Sequence, residues 1–401
     1  MITGLLKLIV NSFKWYKCNR KNNIMHNKFY KRLFLMMNGF LYQQKTRICG
    51  LLLMSTQLLA QIDNKSLENE NGFYDTKLKK VQFHFAALSY VKNNEYFNEI
   101  ADGYTLFGYY LNPTVSYQPH QKVQIEAGVF VRKVFGNSGF KETEPTFTVQ
   151  IKQANWRFLF GNIEGNISHR MIEPLLSFER LLSQPLEHGI QAKYQYKEAF
   201  FDAWIDWQRS TLPGQSNQEY IWNGLSFYAK PLRFDASALK GLTFQPIAQT
   251  SVFHEGGQNI QSVLPVRTLL NLTAGLRVQK ALNNGQTLTF DNYYVAYFES
   301  PRRGTAYYFN TFWKNPKYQI GLSYWLGHYF TSPFGGDLFQ SISKKIGANY
   351  YEEYRNLLVM RMSREWNISK GIDVLLRIEP HYDFQNRIFE HSEGVYLKCS
   401  L

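Results

Sequence analysis

Residues 269–280 read LLNLTAGLRVQK, and apolar and polar side chains alternate along this stretch. The apolar set is Leu270, Leu272, Ala274, Leu276 and Val278, and the other set is Asn271, Thr273, Gly275, Arg277 and Gln279. Side chains of a β-strand point alternately to opposite faces. The stretch therefore predicts a strand with one apolar and one polar face.

The same alternation recurs from residue 81 to residue 401. Three further apolar faces are Ile190, Ala192, Tyr194 and Tyr196; Phe201, Ala203, Ile205 and Trp207; and Tyr318, Ile320, Leu322, Tyr324 and Leu326. About sixteen strands are predicted, starting near Val81, Tyr104, Val123, Pro145, Trp156, Gly189, Ala199, Trp222, Leu242, Leu269, Thr287, Ala306, Tyr318, Leu357, Ile372 and Gly394. A soluble β-sandwich can also alternate in this way, so the pattern alone does not decide between the two classes.

The lengths of the connections favour a membrane barrel. Short connections fall at residues 119–122, 153–155, 197–198, 282–286, 314–317 and 367–371, and long ones at 162–188, 209–221, 254–268 and 329–355. Outer-membrane barrels alternate short periplasmic turns with longer external loops, and a closed sheet satisfies every backbone group in lipid. The sequence thus predicts an all-β, transmembrane antiparallel β-barrel of about sixteen strands. The connection at 231–241 is longer than expected for a periplasmic turn, although its position in the chain predicts one.

Aromatic residues make up 16% of the chain, as expected for a barrel with aromatic girdles at both membrane interfaces. The residues predicted near the strand ends are Trp207, Trp222, Tyr293, Tyr294, Tyr307, Tyr308, Trp313, Trp325, Tyr350, Tyr351 and Trp366. An aromatic-rich soluble core is the alternative. The last strand, GVYLKCSL, ends on Leu401, whereas such barrels usually end on an aromatic residue.

The N-terminal part predicts export. Residues 48–60 read ICGLLLMSTQLLA and follow Lys45 and Arg47, which is typical of a cleaved signal segment because the run is too short to span a membrane. Residues 1–60 are predicted to be a leader cleaved after Ala60, residues 61–80 a periplasmic segment and residues 81–401 the barrel. Alternative start codons are Met25, Met36 and Met37.

Charge and cysteine content exclude several classes. The formal net charge is +14, but the leader holds ten basic and no acidic residues, which leaves 35 basic and 31 acidic groups. We therefore expect no nucleic-acid partner. Cys18 and Cys49 lie in the leader and leave Cys399 alone in the mature chain, so neither a disulfide framework nor a cysteine-rich metal site is expected.

Two runs, FNEIADGYTLFGYYLNP at residues 97–113 and FGNIEGNISHRMIEPLLSFE at residues 160–179, resemble blocks of uncharacterised, porin-like outer-membrane β-barrel proteins of the Bacteroidetes. The resemblance spans most of the mature chain. It implies a barrel in an outer membrane and supplies no chemistry.

The third external connection, residues 162–188, carries apolar residues at helical spacing and many charges. Its position and composition resemble the loop that narrows the lumen of general porins; a surface loop over the rim is the alternative. The candidate constriction residues are Glu164, His169, Arg170, Glu173, Glu179 and Arg180. The candidate lumen-wall residues on the polar strand faces are Glu126, Arg132, Lys152, Lys193, Asp202, Asp206, Arg277, Arg361, Arg377 and Glu379.

No GxSxG, HExxH or phosphate-cradling GxxxxGK motif occurs. The predicted function is therefore a non-enzymatic, porin-like channel for passive diffusion of small hydrophilic solutes, without cofactor or metal. One alternative is an occluded barrel that acts in surface binding or adhesion or has a structural role. The other is a membrane-embedded hydrolase with Ser and His on adjacent strands. Expected partners are outer-membrane lipid, the solutes, the barrel assembly machinery and, in a homo-oligomer, a second copy of the chain.

Overall fold

A computed structural model describes residues 67–68, 78–212, 214–234, 241–257, 264–343, 345 and 350–401. The predicted leader, its start codons and the cleavage point lie outside the described residues. Of the predicted periplasmic segment, residues 67–68 and 78–80 are described.

The described chain forms one closed antiparallel sheet. Its strands are β1 (Val81–Glu95), β2 (Tyr104–His120), β3 (Val123–Val134), β4 (Glu142–Gln153), β5 (Trp156–Asn162), β6 (His188–Tyr196), β7 (Ala199–Arg209), β8 (Glu219–Tyr228), β9 (Leu232–Arg233), β10 (Leu242–Gly256), β11 (Arg267–Ala281), β12 (Thr287–Glu299), β13 (Arg302–Lys314), β14 (Tyr318–His328), β15 (Tyr354–Ser369), β16 (Ile372–Asp383) and β17 (Ile388–Ser400). β1 pairs with both β2 and β17, which closes the barrel.

The barrel has sixteen wall strands, because β8 and β9 are two pieces of one. Both pair with β10, β8 at Ile247–Gly256 and β9 at Thr243 and Phe244. Pro231 lies between the two pieces, and proline has no N–H for the ladder. The predicted barrel is confirmed, and the long connection after β8 is explained by a strand that is interrupted and then resumes.

The two faces of the wall follow the predicted alternation. On β11, Leu272 and Leu276 face outward with 39% and 41% of their surface exposed, whereas Asn271 is fully buried on the luminal side. An apolar outer surface on a closed barrel is what lipid requires. The protein is an outer-membrane β-barrel. Long connections are external in such barrels, which places the end of β1 at Glu95 on the external side.

Among the described residues, no helix is long and apolar enough to cross a membrane.

The lumen holds the hydrophobic core. Trp222, Tyr308 and Trp325 were predicted to lie in the interface girdles, but each is fully buried and faces inward. They pack in one cluster with Leu175 of the connection between β5 and β6 and with Phe339 of the connection between β14 and β15. The girdle prediction is wrong for these residues because luminal aromatic residues alternate along a strand with the same period as outward ones.

Candidate functional site

Residues 163–187, the inward segment, leave the wall after β5 and return to it at β6. Gly161 and Gly189 flank the segment, with φ of 103° and 156°. A Cβ would lie 2.1 Å from the Phe147 carbonyl oxygen at Gly161 and 1.9 Å from the Ile205 carbonyl oxygen at Gly189. Only glycine fits such close approaches, so these two residues let the chain turn away from the sheet.

The inward segment packs across the lumen. Leu175 belongs to the cluster with Trp222, and Phe178 and Leu182 belong to a second cluster with Tyr396. The segment is mostly turns, with a 3-10 helix at Asn166–His169 and an α-helix at Arg180–Ser183. The apolar residues at helical spacing therefore do not form one continuous helix.

A second inward segment, residues 330–343, packs against the first. Ser177 N donates to the Phe334 carbonyl oxygen at 2.7 Å, and Gly336 N donates to the Glu173 carbonyl oxygen at 2.9 Å. Backbone hydrogen bonds therefore join the two segments into one luminal body.

His169 anchors the inward segment to the wall. Its Nε2 lies 2.9 Å from Glu187 Oε2, its Nδ1 lies 2.8 Å from Asp202 Oδ2, and all three side chains are fully buried. The ring stacks on Trp204 with centroids 3.5 Å apart. Burial lowers the pKa of His169, but the two carboxylates more than offset it and raise the pKa to about 9, so the ring is a buried cation at neutral pH.

Glu164 and Glu179 make two further anchors. Glu164 accepts hydrogen bonds from Arg157 at 2.6 and 2.7 Å and from Lys193 at 2.6 Å. Glu179 lies 2.5 Å from Lys92 Nζ and accepts from Tyr104. Each carboxylate is thus neutralised by basic groups of the wall, as burial of a charge requires.

Glu173 bridges to the opposite part of the wall. Its Oε2 lies 2.7 Å from Arg361 Nη2 and 3.5 Å from Arg377 Nη2. Both arginines also contact Glu379, at 2.6 Å from Arg361 Nε and 2.8 Å from Arg377 Nε. These four residues form an ion-paired layer of two positive and two negative charges.

The two other predicted constriction residues contact aromatic rings. The Arg170 guanidinium lies 4.3 Å from the Phe200 ring, and Arg170 Nη2 lies 3.2 Å from Glu68. The Arg180 guanidinium lies 4.5 Å from the Phe334 ring. Both are cation–π distances.

All ten predicted wall residues lie on the luminal face of their strands. Besides those already described, Arg132 pairs with Glu142 at 2.9 Å and Arg277 with Asp291 at 2.7 Å. Asp206 accepts from His188 N at 2.9 Å. Glu126 and Lys152 are partly buried. Whether these groups and the inward segment select solutes stays a prediction.

Two cavities lie on either side of the luminal body. One, of about 320 Å³, reaches the periplasmic strand ends at Lys197 and Lys314. The other, of about 360 Å³, reaches the external strand ends at Tyr104 and Tyr220. Glu173 and Arg361 line both, so the ion-paired layer lies at the boundary between them.

A different polar cluster faces outward at the external ends of three neighbouring strands. The outer polar row consists of Asn93 and Glu95 on β1, Thr105 on β2, and His391 and Glu393 on β17. Asn93 stands opposite both Glu393 and Thr105 in the sheet, and Glu95 stands opposite His391.

Hydrogen bonds connect the members of this row. His391 Nδ1 lies 2.9 Å from Glu393 Oε2. Asn93 Nδ2 donates to Glu393 at 3.1 Å and to Glu95 at 2.7 Å, and Thr105 Oγ1 donates to Asn93 Oδ1 at 2.7 Å. A histidine oriented through Nδ1 by a carboxylate is the arrangement of a general base in hydrolases.

The outer polar row lies directly above the apolar outer surface. Val91 stands opposite Val395 and Phe107, one outward position nearer the periplasm. All three are exposed on the barrel exterior. The row therefore adjoins the apolar outer surface on the external side of Val91, Phe107 and Val395.

Sequence reasoning missed this row. Asn93 and Glu393 are 300 positions apart, and they meet because β1 and β17 close the barrel. The signal available was local: polar residues at outward positions next to Val91 and Val395.

Several solved structures resemble this fold. A loop-deletion mutant of OmpT, an outer membrane protein of Vibrio cholerae, has 11% identity and a TM-score of 0.49 and covers 81% of this chain and 100% of its own. The outer membrane protein OprD from Pseudomonas aeruginosa has 9% identity and a TM-score of 0.48, with 83% and 97% covered. An anion-selective porin from Comamonas acidovorans has 8% identity and a TM-score of 0.47, with 80% and 100% covered. No curated protein matches the chain.

The family comparison corrects the sequence-based prediction that the chain is not an enzyme. A family model described as lipid A 3'-O-deacylase-type matches residues 73–401. That prediction is wrong because it relied on the absence of short catalytic motifs, whereas the matched family is enzyme-associated. The predicted resemblance to outer-membrane barrel proteins is supported, and the family model adds an enzyme-associated description to it. The chain belongs to the lipid A 3'-O-deacylase-type family.

Proposed function

We propose that this protein hydrolyses an ester bond of lipid A at the outer polar row. Membership of the family supports the substrate class. The observation that carries the location is that the row lies directly above the exposed Val91, Phe107 and Val395. A lipid whose acyl chains lie along this apolar surface has its ester groups at the height of the polar row.

His391 is the proposed general base. Its Nδ1 contact with Glu393 fixes the orientation of the ring and stabilises the imidazolium. Nε2 then takes a proton from water as the oxygen attacks the ester carbonyl carbon. The carbon–oxygen bond to the sugar breaks, the fatty acid leaves, and the imidazolium returns the proton to the sugar oxygen.

The other members of the row act through these two residues. Asn93 donates to both Glu393 and Glu95, which bridges the two carboxylates and fixes their positions. Thr105 fixes the Asn93 amide by donating to its oxygen. Asn93 and Thr105 are therefore proposed as positioning residues.

A basic group lies on the neighbouring strand. Lys133 on β3 faces outward, and its Nζ contacts the carbonyl oxygens of Asn137 and Gly139, both at 2.6 Å. Neutral carbonyls leave its positive charge uncompensated. We propose that Lys133 attracts the phosphate groups of lipid A.

The test uses the purified barrel in vesicles that contain lipid A, with released fatty acid measured by mass spectrometry. His391→Ala should lower the rate by about 10²-fold or more, and Glu393→Gln should lower it at unchanged barrel folding. His328→Ala is the matched control, because His328 is also an outward histidine paired with a glutamate, Glu353, at 3.3 Å. Equal rates for wild type and His391→Ala would refute the assignment, and loss of activity in His328→Ala alone would move the site.

Passive passage of small hydrophilic solutes is the second candidate function. The two luminal cavities, which reach opposite ends of the barrel and share lining residues, favour it. The inward segment would then be the element that narrows the path. Planar-bilayer recording tests this function. A folded barrel that does not conduct ions would exclude passive passage and would mean that the lumen is occluded.

A further inference from the structure

The boundary between the two luminal cavities is the ion-paired layer of Glu173, Arg361, Arg377 and Glu379. Glu173 and Arg361 line both cavities, Arg377 lines the periplasmic one and Glu379 the external one. A solute that passes from one cavity to the other meets this layer.

Besides Glu173, both arginines have partners on the wall, and Arg377 also contacts Phe178 of the inward segment. Arg361 Nη1 donates to the Tyr308 hydroxyl at 3.0 Å and to Ser323 Oγ at 2.9 Å. The Arg377 guanidinium lies 4.1 Å from the Phe178 ring. Both arginines also bond to Glu379 of β16. They would therefore keep their positions if the Glu173 side chain moved away.

Glu173 differs from the other three because it lies on the inward segment and not on a strand. Its side chain is 20% exposed, against 3% for Arg361 and 2% for Arg377. Without it, the remaining residues of the layer carry two positive charges and one negative charge. The layer would then be a fixed, net positive site reached from both cavities.

We propose that Arg361 and Arg377 form a binding site for one small carboxylate-bearing solute, and that the Glu173 carboxylate occupies this site when no solute is bound. The proposal rests on the second candidate function, passive passage. Glu173 shows the ligand chemistry, because its Oε2 lies 2.7 Å from Arg361 Nη2 and 3.5 Å from Arg377 Nη2. Guanidinium groups recognise carboxylates through paired N–H donors.

The experiment compares wild type, Glu173→Gln and Glu353→Gln in planar bilayers. Glutamine keeps the size of Glu173 and removes its charge. Glu353→Gln is the matched control, since it removes one negative charge from the outer surface beside His328. Heat-dependent mobility on SDS gels verifies that each barrel is folded.

Reversal potentials in a potassium chloride gradient should show that Glu173→Gln raises the chloride-to-potassium permeability ratio about tenfold over wild type. Sodium acetate should reduce the chloride current of Glu173→Gln at lower concentration than it reduces the wild-type current. Glu353→Gln should match wild type in both measurements.

The outcomes distinguish failure of the proposed binding site from failure of the passage function. Conducting channels in which Glu173→Gln matches wild type in ion preference and acetate block would overturn the binding site while leaving passage intact. Folded barrels that do not conduct, with or without the substitution, would overturn both the site and the passage function.

Discussion

Raising the pH should weaken the attachment of the inward segment to the wall, because His169 is a buried cation between Glu187 and Asp202. Its pKa is about 9 in the folded protein against 6.5 in water. Because the pKa of His169 is higher in the folded protein than in water, protonated His169 stabilises the attached inward segment. This stabilisation is complete below about pH 6.5 and is lost as the pH rises through about 9. The difference corresponds to about 3 kcal/mol of local stability.

Hydrogen exchange of residues 163–187, in detergent micelles, measures this stability directly. After correction for the intrinsic rate, protection should fall about 100-fold between pH 6.5 and pH 10. Arg180 and Asp206 also face Glu187, so strand β7 should be followed in the same experiment.

His169→Gln supplies the comparison. The substitution leaves two buried carboxylates without their cation, so protection of the segment should already be low at neutral pH and should not fall further. Wild-type protection that stays constant over this pH range, or an equal pH-dependent loss in His169→Gln, would refute the reasoning.

Two further predictions concern the wall and the leader. In a Cys399→Ser background, single cysteines from position 276 to position 279 should react with an aqueous thiol reagent in an alternating pattern, because Leu276 faces lipid whereas Arg277 and Gln279 line the periplasmic cavity; a flat profile would contradict the strand faces. N-terminal sequencing of the protein from outer-membrane fractions should start near Gln61, because the apolar run at residues 48–60 is too short to span; a protein that retains residues 1–60 would contradict cleavage.

Much of the wall could be predicted from the sequence because strand alternation is a local property. The alternation of Leu272 and Leu276 with Arg277 needs no knowledge of distant residues. Strands β15 and β17 begin earlier than predicted, at Tyr354 and Ile388, since polar residues on both faces, at 355–356 and at 390–393, interrupt the apolar alternation near their external ends.

The luminal core could not be assigned in this way. Trp222 and Trp325 alternate along their strands like outward residues, and their burial depends on segments that return from other parts of the chain. The inward segment itself was predicted as one of two possibilities. Its anchors, such as His169 with Asp202, become visible only when the register of β7 places Asp202 on the luminal face.

The proposed active site depends on closure of the barrel. His391 and Glu393 are close in sequence, but Asn93 and Thr105 reach them only through the pairing of β17 with β1 and of β1 with β2. A search for short motifs therefore finds no hydrolase, and the proposal of one rests on family membership together with the register of three strands.

The most direct test of the proposed function is the mass of lipid A after incubation with the purified wild-type barrel. Hydrolysis at the outer polar row predicts the loss of one acyl chain, located at the 3'-ester by fragmentation, and no such loss with His391→Ala. An unchanged lipid A mass with a folded wild-type barrel, or the same loss with His391→Ala, would contradict it.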